Sequence, residues 1–125
     1  MYAYRPTVSV RTTGQILAHI ANAQFAICSI AAGEDNPEAG NYEEIATTRA
    51  DILAAVQASF DYCEGVYAAM TDAKGLEMKP FFSGERRQEM TVSAILSFNS
   101  THTYEHYGNL TTYMRLNGMV PPSSQ

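Results

Sequence analysis

Three histidines, His19, His102 and His106, are the only imidazoles in this 125-residue chain, and their placement gives it its candidate chemistry. The segment His102-Thr-Tyr-Glu-His106 sets two imidazoles four residues apart. On a helix that spacing stacks them on one face, where a single helix can offer two nitrogen ligands to one ion. His19 shares the apolar phase of Ile16, Ile20 and Ala23, and His102 and His106 share that of Ile95, Asn99, Leu110 and Tyr113. A single inward histidine is most often a core residue satisfied by a hydrogen bond. Three that fall on the buried phase of two segments ask for a common explanation, and a single metal site supplies it. Three imidazoles leave one position of a tetrahedral ion open to water or substrate, the ligand count of catalytic rather than structural zinc.

Around these three the sequence offers supporting groups. Glu105 adjoins His106 and lies close enough in helical phase to His102 to orient a water or act as a base, though a solvated surface carboxylate is an equally ordinary fate for it. Asn99, Asn109 and Tyr113 are candidates to hydrogen-bond the histidines from behind, with Tyr113 equally suited to the core. Arg115 is suited to capping the last carbonyls of its helix or, less commonly, to binding an anionic substrate. The His-x-x-Glu-His spacing also occurs in metalloproteases, where the Glu is a general base. That reading fails here for want of a further ligand, since the 19 residues after His106 contain no carboxylate side chain.

Three long segments must position these groups, and each carries helical periodicity. The first is expected over Thr13 to Ala32, with Ile16, Ile20, Ala23, Ile27 and Ile30 at three- and four-residue steps and Gly33 as its stop. The second opens on the capping box Thr48-Arg-Ala-Asp51 and continues through Ile52, Val56, Phe60, Cys63, Tyr67 and Met70. The third starts near Thr91 and ends before Gly118 and Pro121-Pro122. Residues 1–11 read as an extended lead-in, 118–125 as a C-terminal tail, and the whole as one all-α domain, 1–125. Val8 and Val10 alternate as in a strand but have nothing to pair with. The connections Gly33–Thr47 and Asp72–Met90 are long for a compact domain, and the second is expected to hold a short helical turn near Lys79 to Phe82.

Composition narrows the function classes. The net charge is -5 with eight Lys and Arg, which argues against nucleic acid or an anionic membrane surface as the main partner. The N-terminus lacks a basic flank followed by an apolar run, and no later stretch reads as a membrane span, so a cytoplasmic location is expected. Cys28 and Cys63 stand 35 residues apart with no CxxC pattern, and read as free thiols packed in the core, a disulfide being the rarer alternative in a reducing compartment.

The stretches Gly14-Gln-Ile-Leu-Ala-His19-Ile-Ala-Asn-Ala and His102-Thr-Tyr-Glu-His106-Tyr-Gly-Asn-Leu, followed by Tyr113-Met-Arg-Leu-Asn-Gly118-Met-Val-Pro-Pro-Ser-Ser, resemble the DinB family over nearly the whole chain. The resemblance implies an up-down helical bundle holding a divalent ion, zinc or nickel, on one histidine of an early helix and an HxxxH pair of the last. Those positions are His19, His102 and His106. DinB-like proteins usually carry another helix ahead of the segment corresponding to Tyr4-Arg-Pro-Thr7, close to where this sequence begins. Three amphipathic helices alone leave an apolar groove of roughly several hundred Å², more than soluble monomers usually expose, so the expectation is a homodimer whose second copy covers it, or else a truncated chain.

Characterised relatives of the family transfer low-molecular-weight thiols or isomerise thiol-linked intermediates. The resemblance therefore implies a metal-dependent thiol S-transferase acting on a small electrophile. A non-catalytic metal-stabilised stress or interaction protein and a metal-dependent hydrolase are the competing classes.

Overall fold

A computed structural model describes residues 1–38, 40–83 and 85–125. Three long helices dominate them: α1 (Thr13–Ala32), α3 (Arg49–Ala68) and α5 (Val92–Leu116). Two single-turn helices, α2 (Tyr42–Ile45) and α4 (Asp72–Gly75), occupy the connections. A two-stranded antiparallel hairpin of β1 (Met78–Ser83) and β2 (Arg86–Thr91) leads into α5. The fold is mostly helical, as the periodicity requires.

The long helices start where side chains can satisfy their orphan N–H groups. Thr12 and Thr48 each form a reciprocal capping box, with Gln15 and Asp51, and Thr91 accepts from the Ala94 N–H at the head of α5. α1 stops at Gly33, whose φ of 75° is the left-handed turn that closes a helix and that side chains with a Cβ rarely adopt.

α1 is the central helix. Its Gly14 end lies on Ile52 at the head of α3, and its Cys28 is joined to Cys63 further along both helices, so α1 and α3 run parallel. α5 runs the other way, with Ile95 beside Ile27 and Cys28 in one core cluster and Tyr113 beside Ile16 and Ile20 in another. The long connection between α1 and α3 is what lets two consecutive long helices point the same way. A side chain at position 14 would bring a Cβ to 3.1 Å from Ile52 Cδ1 and 3.2 Å from the Tyr2 carbonyl, so the glycine permits close approach of both α3 and the N-terminal segment.

Several expectations need correction. The helical turn expected at Lys79 to Phe82 is instead strand β1, and the helical turn of that connection is α4, at Asp72–Gly75. Pro80 is tolerated because each strand of a two-stranded sheet is an edge. Residues 1–11 are not one extended run. They fold through turns closed by Tyr4 N–H to Met1 O and Val10 N–H to Thr7 O, and they dock on α1 through Gly14 N–H to Tyr2 O. Cys28 and Cys63 are not free thiols. They form a disulfide, with Cα atoms 5.5 Å apart and both residues buried, because parallel packing of α1 and α3 brings two core positions face to face. α1 is also long and apolar enough by length and composition to cross a membrane, with a mean hydropathy of 1.3, contrary to the sequence reading. Its apolarity is used internally: it packs on α3, α5 and α2.

The disulfide closes a loop of 35 residues' separation, for which the chain-entropy argument gives about 3–4 kcal/mol. Reduction is therefore expected to lower the urea midpoint of wild type and leave that of Cys28→Ala/Cys63→Ala unchanged. Alkylation under denaturing, non-reducing conditions should find no reactive thiol in wild type.

Candidate metal centre

Antiparallel packing of α1 on α5 delivers His19 to the pair on α5. The ligand-capable nitrogens of His19, His102 and His106 lie within 4.8 Å of one another. His102 Nε2 and His106 Nε2 are 3.2 Å apart. The rings are mutually tilted, at 52° for His19 and His102 and 80° or more for the other two pairs, so they present edges rather than faces.

Each ring is held differently. His19 Nδ1 lies 2.7 Å from Glu43 Oε1, which leaves Nε2 of that ring to face the other two. Glu43 is fixed in turn by Arg11, whose Nε donates to Oε2 at 2.8 Å. A carboxylate behind a ligating imidazole is the usual way its tautomer and orientation are set. His102 is stacked against Phe98, with centroids 6.0 Å apart and 28° between planes, and Phe98 rests on the buried Phe81 of β1. The hairpin thus braces the site from behind. The Nδ1 atoms of His102 and His106 are buried without a protein partner among the described residues, so packing rather than hydrogen bonding orients these two rings.

Burial sets the protonation states. It pushes His102 down to about 4, with the neighbouring His106 and His19 adding to the effect, and it lowers His106 in the same way. Both rings are therefore neutral at pH 7 and have lone pairs to offer. Burial works to raise Glu43, but the hydrogen bonds from Arg11 and His19 outweigh it and hold the carboxyl below its ordinary range.

These residues fit a divalent cation. Two nitrogens bound tetrahedrally at about 2.0–2.1 Å from one ion stand roughly 3.3–3.4 Å apart, close to the separation observed for His102 and His106. The donor set is nitrogen only, which suits zinc or nickel rather than calcium or magnesium.

Beside His106, the one histidine of the three that lines it, opens a cavity of about 620 Å³ walled also by Glu105, Asn109, Arg11, Gln15 and Tyr113 among others. A family model, the DinB superfamily, matches residues 2–110. The chain belongs to the DinB superfamily. No curated protein matches the sequence. As a DinB-superfamily member the chain carries a three-histidine cluster that could hold a metal ion, in a fold consistent with that family.

The structure brings Glu105 and Asn109 to the cavity wall, both exposed and neither hydrogen-bonded to a histidine. Asn99 is a correction: its amide donates to Gln24 Oε1 at 2.6 Å and to Tyr67, on a different side of α5 from the histidines. Tyr113 takes the core alternative: its hydroxyl donates to the Arg11 carbonyl and its ring packs with Ile16 and Ile20. Arg115 donates to Ser124 Oγ, which ties the C-terminal tail to α5. The sequence reading missed Glu43 and Arg11. A signal for the first existed: Asn41 caps α2 ahead of Tyr42-Glu-Glu, an N-cap with acidic residues in the first turn.

Glu43→Gln should lower zinc affinity about 10–100-fold, the usual cost of losing a carboxylate behind a ligand, as measured by competition with a chromogenic chelator. The pH dependence has a definite sign. His102 takes up a proton near pH 6.5 when unfolded but only near 4 when folded, so protons favour the unfolded chain in that window. Metal-free wild type should lose thermal stability as pH falls from about 6.5 to about 4, and His102→Gln should lose less over that range.

Proposed function

We propose that this chain is a divalent-metal protein in which His19, His102 and His106 hold zinc or nickel, and that it acts as a metal-dependent thiol S-transferase on a small electrophile. The observation that carries the metal reading is the convergence of three imidazole edges, two of them neutralised by burial and the third oriented by Glu43. The catalytic reading is supported by the donor count and by the adjacent cavity. Three histidines leave a coordination position free, and the cavity gives a small molecule room to reach it.

His19, His102 and His106 would hold the ion, and when bound it would lower the pKa of a water or thiol and so supply a nucleophile near neutral pH. The chain's own residues supply the rest. Glu105, on the cavity wall, is positioned to take the thiol proton. Arg11 keeps Glu43 ionised and turned toward His19. In the transfer a sulfur–carbon bond replaces the carbon–oxygen bond of an epoxide or the carbon–halogen bond of an alkyl halide. The thiol proton ends on the released alkoxide or in solvent.

The test is elemental analysis of untagged protein beside His102→Ala, followed by a thiol-consumption assay with an epoxide. The expected outcome is about one zinc or nickel per wild-type chain, lost in the variant, and turnover that falls about 100-fold or more in Glu105→Gln with metal retained. Metal without thiol consumption would assign the ion a structural role. No metal after reconstitution would overturn the reading altogether.

A further inference from the structure

The element that brings Glu43 to His19 is the least self-sufficient in the fold. α2 is a helix of four residues, none of them buried, set in the long connection between α1 and α3. A single turn is not stable on its own in water. The Tyr42 ring lies beside Phe25 of α1, with centroids 6.3 Å apart and 31° between planes, and Arg11 holds the Glu43 side chain. What holds the backbone at the head of α2 is polar, and it comes from α1.

Asn22 supplies it. This half-buried residue stands three positions after His19, on the next turn and the same side of α1. Its Oδ1 accepts the Tyr42 N–H at 2.9 Å, and its Nδ2 donates to Asn41 Oδ1 at 2.8 Å. Asn41 Oδ1 in turn accepts the Glu43 N–H at 3.1 Å, while its Nδ2 donates to Glu44 Oε1. The first two orphan N–H groups of α2 are thus met by two asparagines, one at its own cap and one on α1. The direction of the Asn22 amide is determined. Turned over, it would set Nδ2 against the Tyr42 N–H, donor against donor.

These bonds place the carboxylate as well as the helix. Glu43 follows Tyr42 directly, and its Oε1 reaches His19 Nδ1 at 2.7 Å. His19 and Asn22 are fixed relative to one another by the helix they share, so a Glu43 tied to Asn22 is tied to the site. One side of α1 therefore carries both a ring offered to an ion and the amide that sets the ring's carboxylate partner.

A carboxylate placed by α2 supports the ion only in molecules whose α2 is docked. By linkage, an ion at the three histidines favours docking of α2 by the same factor.

We infer that Asn22 is a positioning residue of the metal centre, holding the head of α2 where Glu43 meets His19, and that docking of α2 and binding of the ion strengthen each other. The inference rests on the metal reading given above.

Zinc affinity by chelator competition, and hydrogen exchange of the Tyr42 amide by NMR, test it. Asn22→Ala introduces a good helix former, so the helical circular dichroism of wild type should be kept. Its zinc affinity should fall about 10-fold, the lower end of the loss expected for a group behind the ligands. On a Glu43→Ala background the same change should alter affinity by no more than about 2-fold, because the link it serves is already gone. Zinc should slow exchange of the Tyr42 N–H several-fold in wild type and leave it unchanged in Glu43→Ala. Wild-type affinity in Asn22→Ala overturns the inference, as does an equal loss on both backgrounds. A wild-type Tyr42 amide indifferent to bound zinc overturns it without recourse to any Asn22 variant. A wild type that binds no zinc at all is a different result: it overturns the metal reading, and this inference falls with it.

Discussion

The antiparallel contact between α1 and α5 governs the candidate site, because it is the only contact that brings His19 to His102 and His106. Moving α5 one turn along α1, about 5.4 Å, would separate the rings by more than a ligand set spans. Two apolar clusters fix that register. Tyr113 closes on Ile16 and Ile20 at one end, and Ile95 and Leu96 close on Ile27, Cys28 and Ala31 at the other. The histidines sit between these clusters, so the burial that lowers the pKa of His102 and His106 comes from the same packing that sets their positions. Geometry and protonation state have one cause.

The disulfide and the hairpin act on this contact from outside. Cys28–Cys63 ties α3 to the central helix at the level of the larger cluster, and β1 inserts Phe81 into that same cluster. Phe98 relays the hairpin's position to His102. On the opposite flank, the N-terminal segment and α2 meet through Arg11 and Glu43, which hold His19. Elements that look peripheral in the chain order are therefore the ones that orient individual rings.

This division explains what was legible in the sequence. The starts of α3 and α5 and the stop of α1 were readable because Thr48, Thr91 and Gly33 are local signals, decided by residues within one turn of each helix end. The three histidines were readable because HxxxH spacing and apolar phase are local as well. The hairpin was not, because β1 contains Pro80 and β2 reads Arg-Arg-Gln-Glu, against the usual strand pattern, and only tertiary packing of Phe81 rewards it. The Cys28–Cys63 pairing depends on the parallel course of α1 and α3, which no local pattern encodes. Glu43 reaches His19 across 24 residues from a single-turn helix, and Asn99 sits one turn from the histidines in sequence but is turned toward Gln24.

Asn99 exposes the limit of reading α5 as an amphipathic helix with one wet and one dry side. Apart from Thr111, whose hydroxyl donates back to the Gly108 carbonyl, its buried polar residues fall in two groups: His106, with His102 beside it, faces α1, and Asn99 faces the interval between α1 and α3. A helix that buries polar groups in two directions shows a blurred stripe, and periodicity alone assigns all of them to one site. What separates them is the partner each meets. The histidines meet one another, and Asn99 meets Gln24 and Tyr67, whose hydroxyl is already committed to Leu96. α5 thus both carries two of the three clustered histidines and forms a wall of an open groove between α3 and α5. Among the described residues each centre keeps buried polar atoms without a protein partner, the Nδ1 atoms of His102 and His106 and the Oδ1 of Asn99, and each carries a desolvation cost that the surrounding packing must offset.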